Sequence, residues 1–315
     1  MNFQSDLRKI VCVLACICGV SAAFLLPSSL RAGTITIPDS ALSNSLGVYT
    51  ANGYFTNSLG SVVVMTGGGN ANGAGLASGR NDDGFSGPIS LPFTLNFFGT
   101  NYNQFWANNN GNISFNNGIS SYTPEGPTGA NEPIISPFFA DVDTRNSASG
   151  VMYLNSSNPN QLIVTWDGVG YYNSSADKLD SFQLVLNNPS HVPTGEGVIG
   201  FFYGTMQWEV GDASGGTDGL CADNSFQDGA CTPAAAGFGD GQGNGQILQG
   251  SINPGIAGLV NDKYLWFDVN SQGQPVPVPP SSSTPEPASI ALFGTGLLGL
   301  AWLVRRKLTL DGCQG

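Results

Sequence analysis

Alternating apolar and polar residues, without a helical period, constrain the fold of this chain most strongly. Residues 89–97 place an apolar side chain at every second position, and Pro92 falls on the polar side of the pattern. This alternation predicts a β-strand with one buried and one exposed face. Pro92 cannot donate a ladder hydrogen bond, so it predicts an edge strand or a bulge. Because no stretch between residues 34 and 270 shows a convincing 3.6-residue apolar period, the sequence predicts an all-β domain.

Further strand-like segments follow one another with turn residues between them. They lie at 104–115, 151–154, 162–166, 182–186, 198–203 and 264–269. Asn110-Gly111 predicts a hairpin with a type I′ turn, and the glycine-rich stretches 67–80 and 211–250 predict long surface loops. Successive hairpins without intervening helices indicate antiparallel sheets packed as a β-sandwich.

The C-terminal residues have the composition of a membrane anchor. Pro285-Glu286-Pro287 precedes an apolar run at 288–304, which ends at Arg305-Arg306-Lys307. The run is close to the minimum of about 17 residues for a helix that spans the hydrocarbon core. Clustered Arg and Lys residues mark the cytoplasmic end of such a helix, so the residues before Pro285 are predicted to lie outside the cytoplasm.

Residues 285–308 resemble the PEP-CTERM sorting signal of Gram-negative bacteria that secrete exopolysaccharide, since the motif, the span and the basic stop occur in the family's order. The resemblance implies that the tail is anchored transiently in the inner membrane and is recognised and cleaved there by an exosortase. An ordinary single-pass anchor, in which the Pro-Glu-Pro motif has no role, is the alternative. Both interpretations predict an exported protein.

The N-terminus has the features of a secretory signal peptide. Arg8-Lys9 precedes the apolar stretch 10–26, and Ser21-Ala22-Ala23 supplies small residues for a signal peptidase. We predict cleavage after Ala23, which makes residues 1–23 the signal peptide. A later cut, after Ala32, is the alternative.

The predicted exported part is acidic. The whole chain has a net charge of −12, and the basic residues of the exported part are Arg80, Arg145, Lys178 and Lys263. Such a surface repels nucleic acids and anionic lipid headgroups, which argues against nucleic acid as a partner.

Cys221 and Cys231 are the cysteines that remain between the predicted signal peptide and the C-terminal signal. They are close in sequence, in a Gly/Asp-rich segment of a protein bound for an oxidising compartment, so we predict that they form a disulfide. A pair of metal-binding thiolates is the alternative, although no further cysteine or nearby histidine would complete that site.

Six motifs in consecutive order resemble those of the nidogen-like (NIDO) domain. They lie at 97–99, 110–115, 133–144, 162–166, 182–186 and 207–213. The resemblance covers about residues 85–260 of a domain predicted at 34–270, and a Pro/Ser linker at 271–284 is predicted to join this domain to the sorting signal. The resemblance implies an extracellular module that acts in cell–matrix adhesion and is not a catalyst.

Asp141 and Asp143 form the most suggestive polar pair. On a strand, carboxylates two residues apart point to one face, about 7 Å apart. Such a pair can bind Ca²⁺ together with backbone carbonyls, or it can orient Arg145 and cap the following turn. We favour the structural role and keep calcium as the one cofactor hypothesis. The acidic glycine loops 81–84 and 212–218 also resemble calcium loops, but neither has the spacing of an EF-hand.

A single histidine, His191, lies in the exported part, within a predicted turn. One histidine cannot build a His-rich zinc site, and its surroundings contain no nucleophile elbow, so we predict a binding protein and not an enzyme.

The function hypothesis is an exported adhesion protein of the outer surface or the biofilm matrix. Its expected partners are an exosortase, the membrane, and exopolysaccharide or another surface matrix component. One alternative is a secreted carbohydrate-active hydrolase that uses paired carboxylates. The other is a calcium-dependent, lectin-like binder.

Overall fold

The computed structural model describes residues 33–44, 59–69, 75–222 and 227–279. Residues 1–23 of the predicted signal peptide lie outside this range, as do Pro285-Glu286-Pro287, the apolar run 288–304 and Arg305-Arg306-Lys307. Within the described residues, no helix has the length and apolar character needed to cross a membrane.

Two β-sheets make up the described part of the chain. In spatial order, the first sheet consists of β1 (Thr34–Ile37), β15 (Gly245–Leu248), β14 (Ala235–Asp240), β9 (Pro133–Phe139), β8 (Asn112–Ser114), β7 (Thr100–Asn108), β5 (Gly84–Phe85) and β4 (Gly67–Gly68), with β6 (Ile89–Phe97) paired to β7. The second consists of β17 (Pro275–Pro277), β16 (Lys263–Val269), β13 (Ile199–Tyr203), β12 (Ser175–Asn187), β11 (Gln161–Tyr171), β10 (Val151–Asn155) and β3 (Ser61–Val62), with β2 (Ser43–Asn44) paired to β16.

Helices are short in the described residues. They are the α-helix α1 (Ile256–Val260) and the 3₁₀ helices Asp39–Ala41, Pro127–Gly129 and Asp212–Ser214. The prediction of an all-β fold is therefore confirmed. The sheets are not antiparallel throughout, because β1 pairs with β15 in parallel and makes the first sheet a mixed one.

Aromatic side chains join the two sheets into one core. Phe138 of β9 lies 5.4 Å from Phe182 of β12, and Phe238 of β14 stacks on Phe201 of β13 at 5.2 Å, between ring centroids. A smaller cluster, which contains Val185, Phe202 and Trp266, packs separately from the main core. Val185 lies in this second cluster, whereas Phe182, Leu184 and Leu186 lie in the main core, so β12 buries apolar side chains on both of its faces.

The alternating segment 89–97 forms β6 as predicted. Its apolar positions from Leu91 to Phe97 are buried, and the polar positions between them are exposed or partly exposed. The pairing with β7 shifts register between Ser90 and Leu95, around Pro92. A proline that cannot donate to the ladder thus coincides with the irregularity, as expected.

The hairpin around Asn110-Gly111 is confirmed, but its predicted turn type is wrong. Asn108 pairs with Asn112, so three residues form the turn, and among them only Gly111 has a positive φ, of 76°. A type I′ turn needs positive φ at both central residues. The Asn110 side chain instead serves long-range contacts, because its Oδ1 accepts the N–H of Val142 at 3.0 Å.

The prediction of a surface loop over 211–250 is wrong for its second half. β14 lies in the middle of the first sheet, between β9 and β15. Its Ala- and Gly-rich sequence lacks the β-branched residues that usually indicate strands. Close packing explains the composition, because a Cβ on Gly237 would overlap the backbone of β15 at Gln246.

The predicted linker begins too early. Residues 275–277 form β17, which pairs with β16, and the N–H of Val278 donates to the carbonyl of Trp266 at 2.8 Å. The folded domain therefore extends past residue 270. The predicted disulfide between Cys221 and Cys231 is confirmed, with Cα atoms 5.9 Å apart.

Candidate functional site

An acidic cleft lies where several distant parts of the chain meet. It has a volume of about 300 Å³ and is lined by Gly69, Asp82, Asp83, Tyr122, Asp141, Tyr172 and Ala213. Asp82 and Asp83 directly precede β5, whereas Asp141 follows the end of β9. Two of the sequence features that suggested calcium, the 81–84 loop and Asp141, are thus brought together.

Hydrogen bonds fasten the 81–84 loop to the segment after β9. The backbone N–H of Asn81 donates to Oγ1 of Thr144 at 2.8 Å, and the backbone N–H of Thr144 donates to the carbonyl of Asn81 at 3.0 Å. Asp82 and Asp143 also form an isolated antiparallel bridge. Because the backbone fixes both segments, their carboxylates are held close together despite their mutual repulsion.

Asp143 has the structural role that the sequence favoured. Its side chain is fully buried, and its Oδ1 accepts the backbone N–H of Arg145 at 2.9 Å. Its Oδ2 accepts Nη2 of Arg145 at 2.5 Å and the backbone N–H of Ser174 at 2.7 Å. Asp143 therefore orients Arg145 and holds the following turn, and it does not line the cleft.

The proposed calcium pair of Asp141 and Asp143 is divided in the structure. The prediction assumed a regular strand, on which alternate side chains share a face. β9 ends at Phe139, so the period-two rule does not hold over 141–143. Asp141 lines the acidic cleft, whereas Asp143 is bonded to Arg145.

Asp141 is the unusual member of the cleft. It is 1% exposed, and neither of its carboxylate oxygens has a hydrogen-bond partner among residues 33–44, 59–69, 75–222 and 227–279. Oδ1 of Asp82 is also buried without a partner, while Oδ2 of Asp82 lies 3.0 Å from Nη2 of Arg145. Asp83 is better satisfied, since its Oδ1 accepts Nδ2 of Asn110 at 2.7 Å. Buried polar atoms normally find partners, so these orphan oxygens need an explanation.

One carboxylate oxygen from each of Asp82, Asp83 and Asp141 lies within 4.8 Å of the other two. Burial raises the pKa of Asp141 to about 8, and the charges of Asp83 and Asp82 add to the effect. Burial likewise raises the pKa of Asp82 to about 7, with Asp143 contributing next. The cleft is therefore a place where negative charge is crowded and poorly compensated.

Sequence reasoning identified members of the cleft but not the cleft itself. Asp82 and Asp141 are far apart in sequence, and only the long-range pairing of the strands brings them together. Tyr122 carried no sequence signal. Of the 212–218 loop, Ala213 lines the cleft, and Asp212 contributes to the raised pKa of Asp141. His191 is exposed at a bend, where its backbone N–H donates to the carbonyl of Asn188 at 2.8 Å.

Comparison with known proteins gives two matches to family models. The model described as NIDO related matches residues 52–247, and the model of the PEP-CTERM protein-sorting motif matches residues 283–307. The first match includes the acidic cleft. The second covers the Pro-Glu-Pro motif, the apolar run and the basic stop.

Similar proteins include alpha-tectorin of Gallus gallus, 33% identical over 162 residues, and alpha-tectorin of Mus musculus, 34% identical over the same length. Each alignment covers 43% of this chain and 7% of the tectorin. Nidogen of Drosophila melanogaster is 29% identical over 203 residues, which cover 54% of this chain and 14% of that protein. The chain thus aligns with a small part of these relatives. No solved structure matches it.

Proposed function

The chain belongs to the NIDO-related family and carries a PEP-CTERM protein-sorting motif, and from this combination we propose that it is an adhesion protein of the cell surface or biofilm matrix. The co-occurrence of the two matches carries the proposal. A sorting motif indicates an exported protein, and the nidogen-like domain is the cargo that it delivers. The disulfide between Cys221 and Cys231 fits an oxidising compartment outside the cytoplasm.

In this proposal, the C-terminal signal acts in two steps. The apolar run at 288–304 holds the protein transiently in the inner membrane, with Arg305-Arg306-Lys307 on the cytoplasmic side. An exosortase then processes the tail at or near Pro285-Glu286-Pro287. The released domain joins the outer surface or the extracellular matrix, where exopolysaccharide or another matrix component is its partner.

Binding without catalysis is the activity that we propose for the domain. The hydrolase alternative needs two carboxylates that both reach a substrate. In the Asp141/Asp143 pair that suggested a hydrolase, Asp143 is fully buried and bonded to Arg145, so it cannot reach a substrate. The acidic surface also argues for a partner that is neutral or cationic and against nucleic acid.

Fractionation of the organism that makes the protein tests the export and the processing. We expect the mature protein in the surface or matrix fraction, with a C-terminus that mass spectrometry places before residue 288. A mature protein that retains Arg305-Arg306-Lys307 would contradict exosortase cleavage, and a cytoplasmic protein would contradict export.

A chimaera separates retention by the domain from retention by the tail. In it, an unrelated exported domain replaces residues 33–279, and the N- and C-terminal segments are unchanged. If the nidogen-like domain binds the matrix, the native protein sediments with the extracellular polymer and the processed chimaera stays in the soluble fraction. Equal sedimentation of the two proteins would refute adhesion by the domain.

A further inference from the structure

We infer that Asp82, Asp83 and Asp141 form a binding site for Ca²⁺ in the acidic cleft. The site differs from the Asp141/Asp143 pair that the sequence suggested, because Asp82 and Asp83 take the place of Asp143. The inference does not depend on the adhesive role of the domain. It rests on the geometry of three carboxylates and on buried oxygens that no donor among the described residues satisfies.

The spacing of the carboxylates suits calcium. Oxygen ligands lie about 2.3–2.6 Å from Ca²⁺, so two ligands on opposite sides of the ion are about 4.6–5.2 Å apart. The three cleft oxygens lie within 4.8 Å of one another. Opposite ligands of Mg²⁺ are only about 4.0–4.2 Å apart and must keep near-ideal octahedral geometry. The separation therefore lets all three oxygens ligate one ion, and Ca²⁺, which tolerates irregular geometry, suits carboxylates that the backbone holds in place.

The unpartnered oxygens are a second and independent observation. Asp141 is 1% exposed and lines the cleft, yet neither of its carboxylate oxygens has a hydrogen-bond donor in the part of the chain that the structure describes. Oδ1 of Asp82, a residue that is 5% exposed, lacks one as well. Buried charges are normally paired or coordinate a metal. A cation in the cleft would supply the partner that these oxygens lack.

Arg145 is the nearby cation, and its contacts leave Asp141 unpaired. Its guanidinium donates to both carboxylate oxygens of Asp143 and lies 3.0 Å from Oδ2 of Asp82. Of the four carboxylates of Asp82, Asp83, Asp141 and Asp143, Arg145 forms ion pairs with those of Asp82 and Asp143. A divalent ion bound by Asp141 would offset most of the negative charge that Arg145 leaves uncompensated.

Two glycines let the backbone approach the carboxylates closely. A Cβ on Gly211 would lie 2.5 Å from Oδ2 of Asp141, and a Cβ on Gly69 would overlap the carbonyl oxygen of Asp82. Gly69 also has a φ of 67°, which disfavours other residues. Both positions therefore need glycine if the walls of the cleft are to stay this close.

Thermal unfolding of the mature protein tests the site, in a chelator, in 1 mM Ca²⁺ and in 1 mM Mg²⁺. A ligand that binds only the folded state raises its melting temperature. We expect a clear rise with Ca²⁺ and a smaller one with Mg²⁺. D141N should lose the calcium response, whereas D268N, which changes an exposed aspartate of β16, should keep it in full.

Terbium luminescence gives a readout that does not depend on stability. Tyr122 and Tyr172 line the cleft and can sensitise a bound Tb³⁺ ion. We expect emission that Ca²⁺ displaces in the native protein and in D268N. If D141N does not fold, D83N replaces it, because Asp83 is only partly buried and its loss disturbs the fold less.

Three results would overturn the inference. One is a native protein whose melting temperature and terbium emission do not respond to Ca²⁺. Another is a calcium response that D141N or D83N retains, which would place the ion elsewhere. The third is a D141N protein that is more stable than the native protein at every calcium concentration. Asparagine resembles a protonated aspartate, so this result would mean that a proton, and not a cation, neutralises Asp141.

Discussion

The bond between Asp143 and Arg145 supports a specific prediction about stability. We expect D143N to destabilise the protein in calcium and in chelator alike, because Asp143 holds Arg145 and does not line the cleft. An amide can replace one carboxylate oxygen, but its NH₂ group cannot accept a hydrogen bond. If the NH₂ group takes the place of Oδ2, it would face two donors, Nη2 of Arg145 and the backbone N–H of Ser174.

The expected loss follows from these contacts. A hydrogen bond to a charged group contributes about 1.5–3 kcal/mol, so two of them amount to about 3–6 kcal/mol. The Arg145 side chain is 27% exposed and keeps its contact with Asp82, so part of its charge remains solvated and paired. We therefore expect the free energy of unfolding to fall by the low end of this range, about 3 kcal/mol, since exposure weakens ion pairs. For a domain of this size, that corresponds to a fall in melting temperature of about 6–12 °C.

Urea unfolding followed by tryptophan fluorescence measures this loss, because Trp166 and Trp208 are fully buried. The midpoint should fall with an unchanged slope. D268N serves as the matched control and should unfold as the native protein does. A D143N protein within about 1 kcal/mol of the native one would refute the argument, since two unsatisfied charge-assisted bonds would then cost less than a single ordinary one.

Three further predictions concern the fold. G111A should destabilise strongly, because its Cβ would overlap a backbone carbonyl of β9, whereas G195A, at φ 86° with open space around it, should cost only about 1–2 kcal/mol in thermal unfolding. Burial raises the pKa of Asp180 well above its usual value, so its folded form favours the proton, and its contribution to stability should decrease as the pH rises above about 4. D180N should flatten that decrease in urea unfolding between pH 4.5 and 7.5, and an unchanged slope would contradict it. Reduction of the 221–231 disulfide should lower the free energy of unfolding by about 2–3 kcal/mol, measured with and without reductant; an equal midpoint in both would contradict the prediction.

Local patterns in the sequence predict the strands whose side chains alternate. β6 and the hairpin of β10 and β11 follow directly from apolar periodicity and turn residues, because burial of one face is a local demand on the sequence. β14 could not be predicted this way. Its small residues reflect the close approach of neighbouring strands, which depends on the assembled sheet.

The acidic cleft was only partly predictable, because its members are visible in local sequence and their assembly is not. Asp141 and the 81–84 loop stand out locally as acidic residues beside turn-forming glycine or a strand end. Their meeting depends on the bridge between Asp82 and Asp143, which links distant segments. The different roles of Asp141 and Asp143 depend on where β9 stops, and strand ends are the least certain part of any sequence-based assignment.

The pairing of β17 with β16 has a consequence for the tail. Since the domain is bonded through Val278, only residues 280–284 separate Pro279, the last residue described, from Pro285. Five residues reach about 18 Å at full extension. If the apolar run 288–304 is anchored in the membrane as proposed, so short a tether would hold the acidic domain against the lipid headgroups until the tail is cut. Processing would then do more than detach the protein: it would relieve a confinement that keeps one end of the domain close to the bilayer and away from the polymer outside.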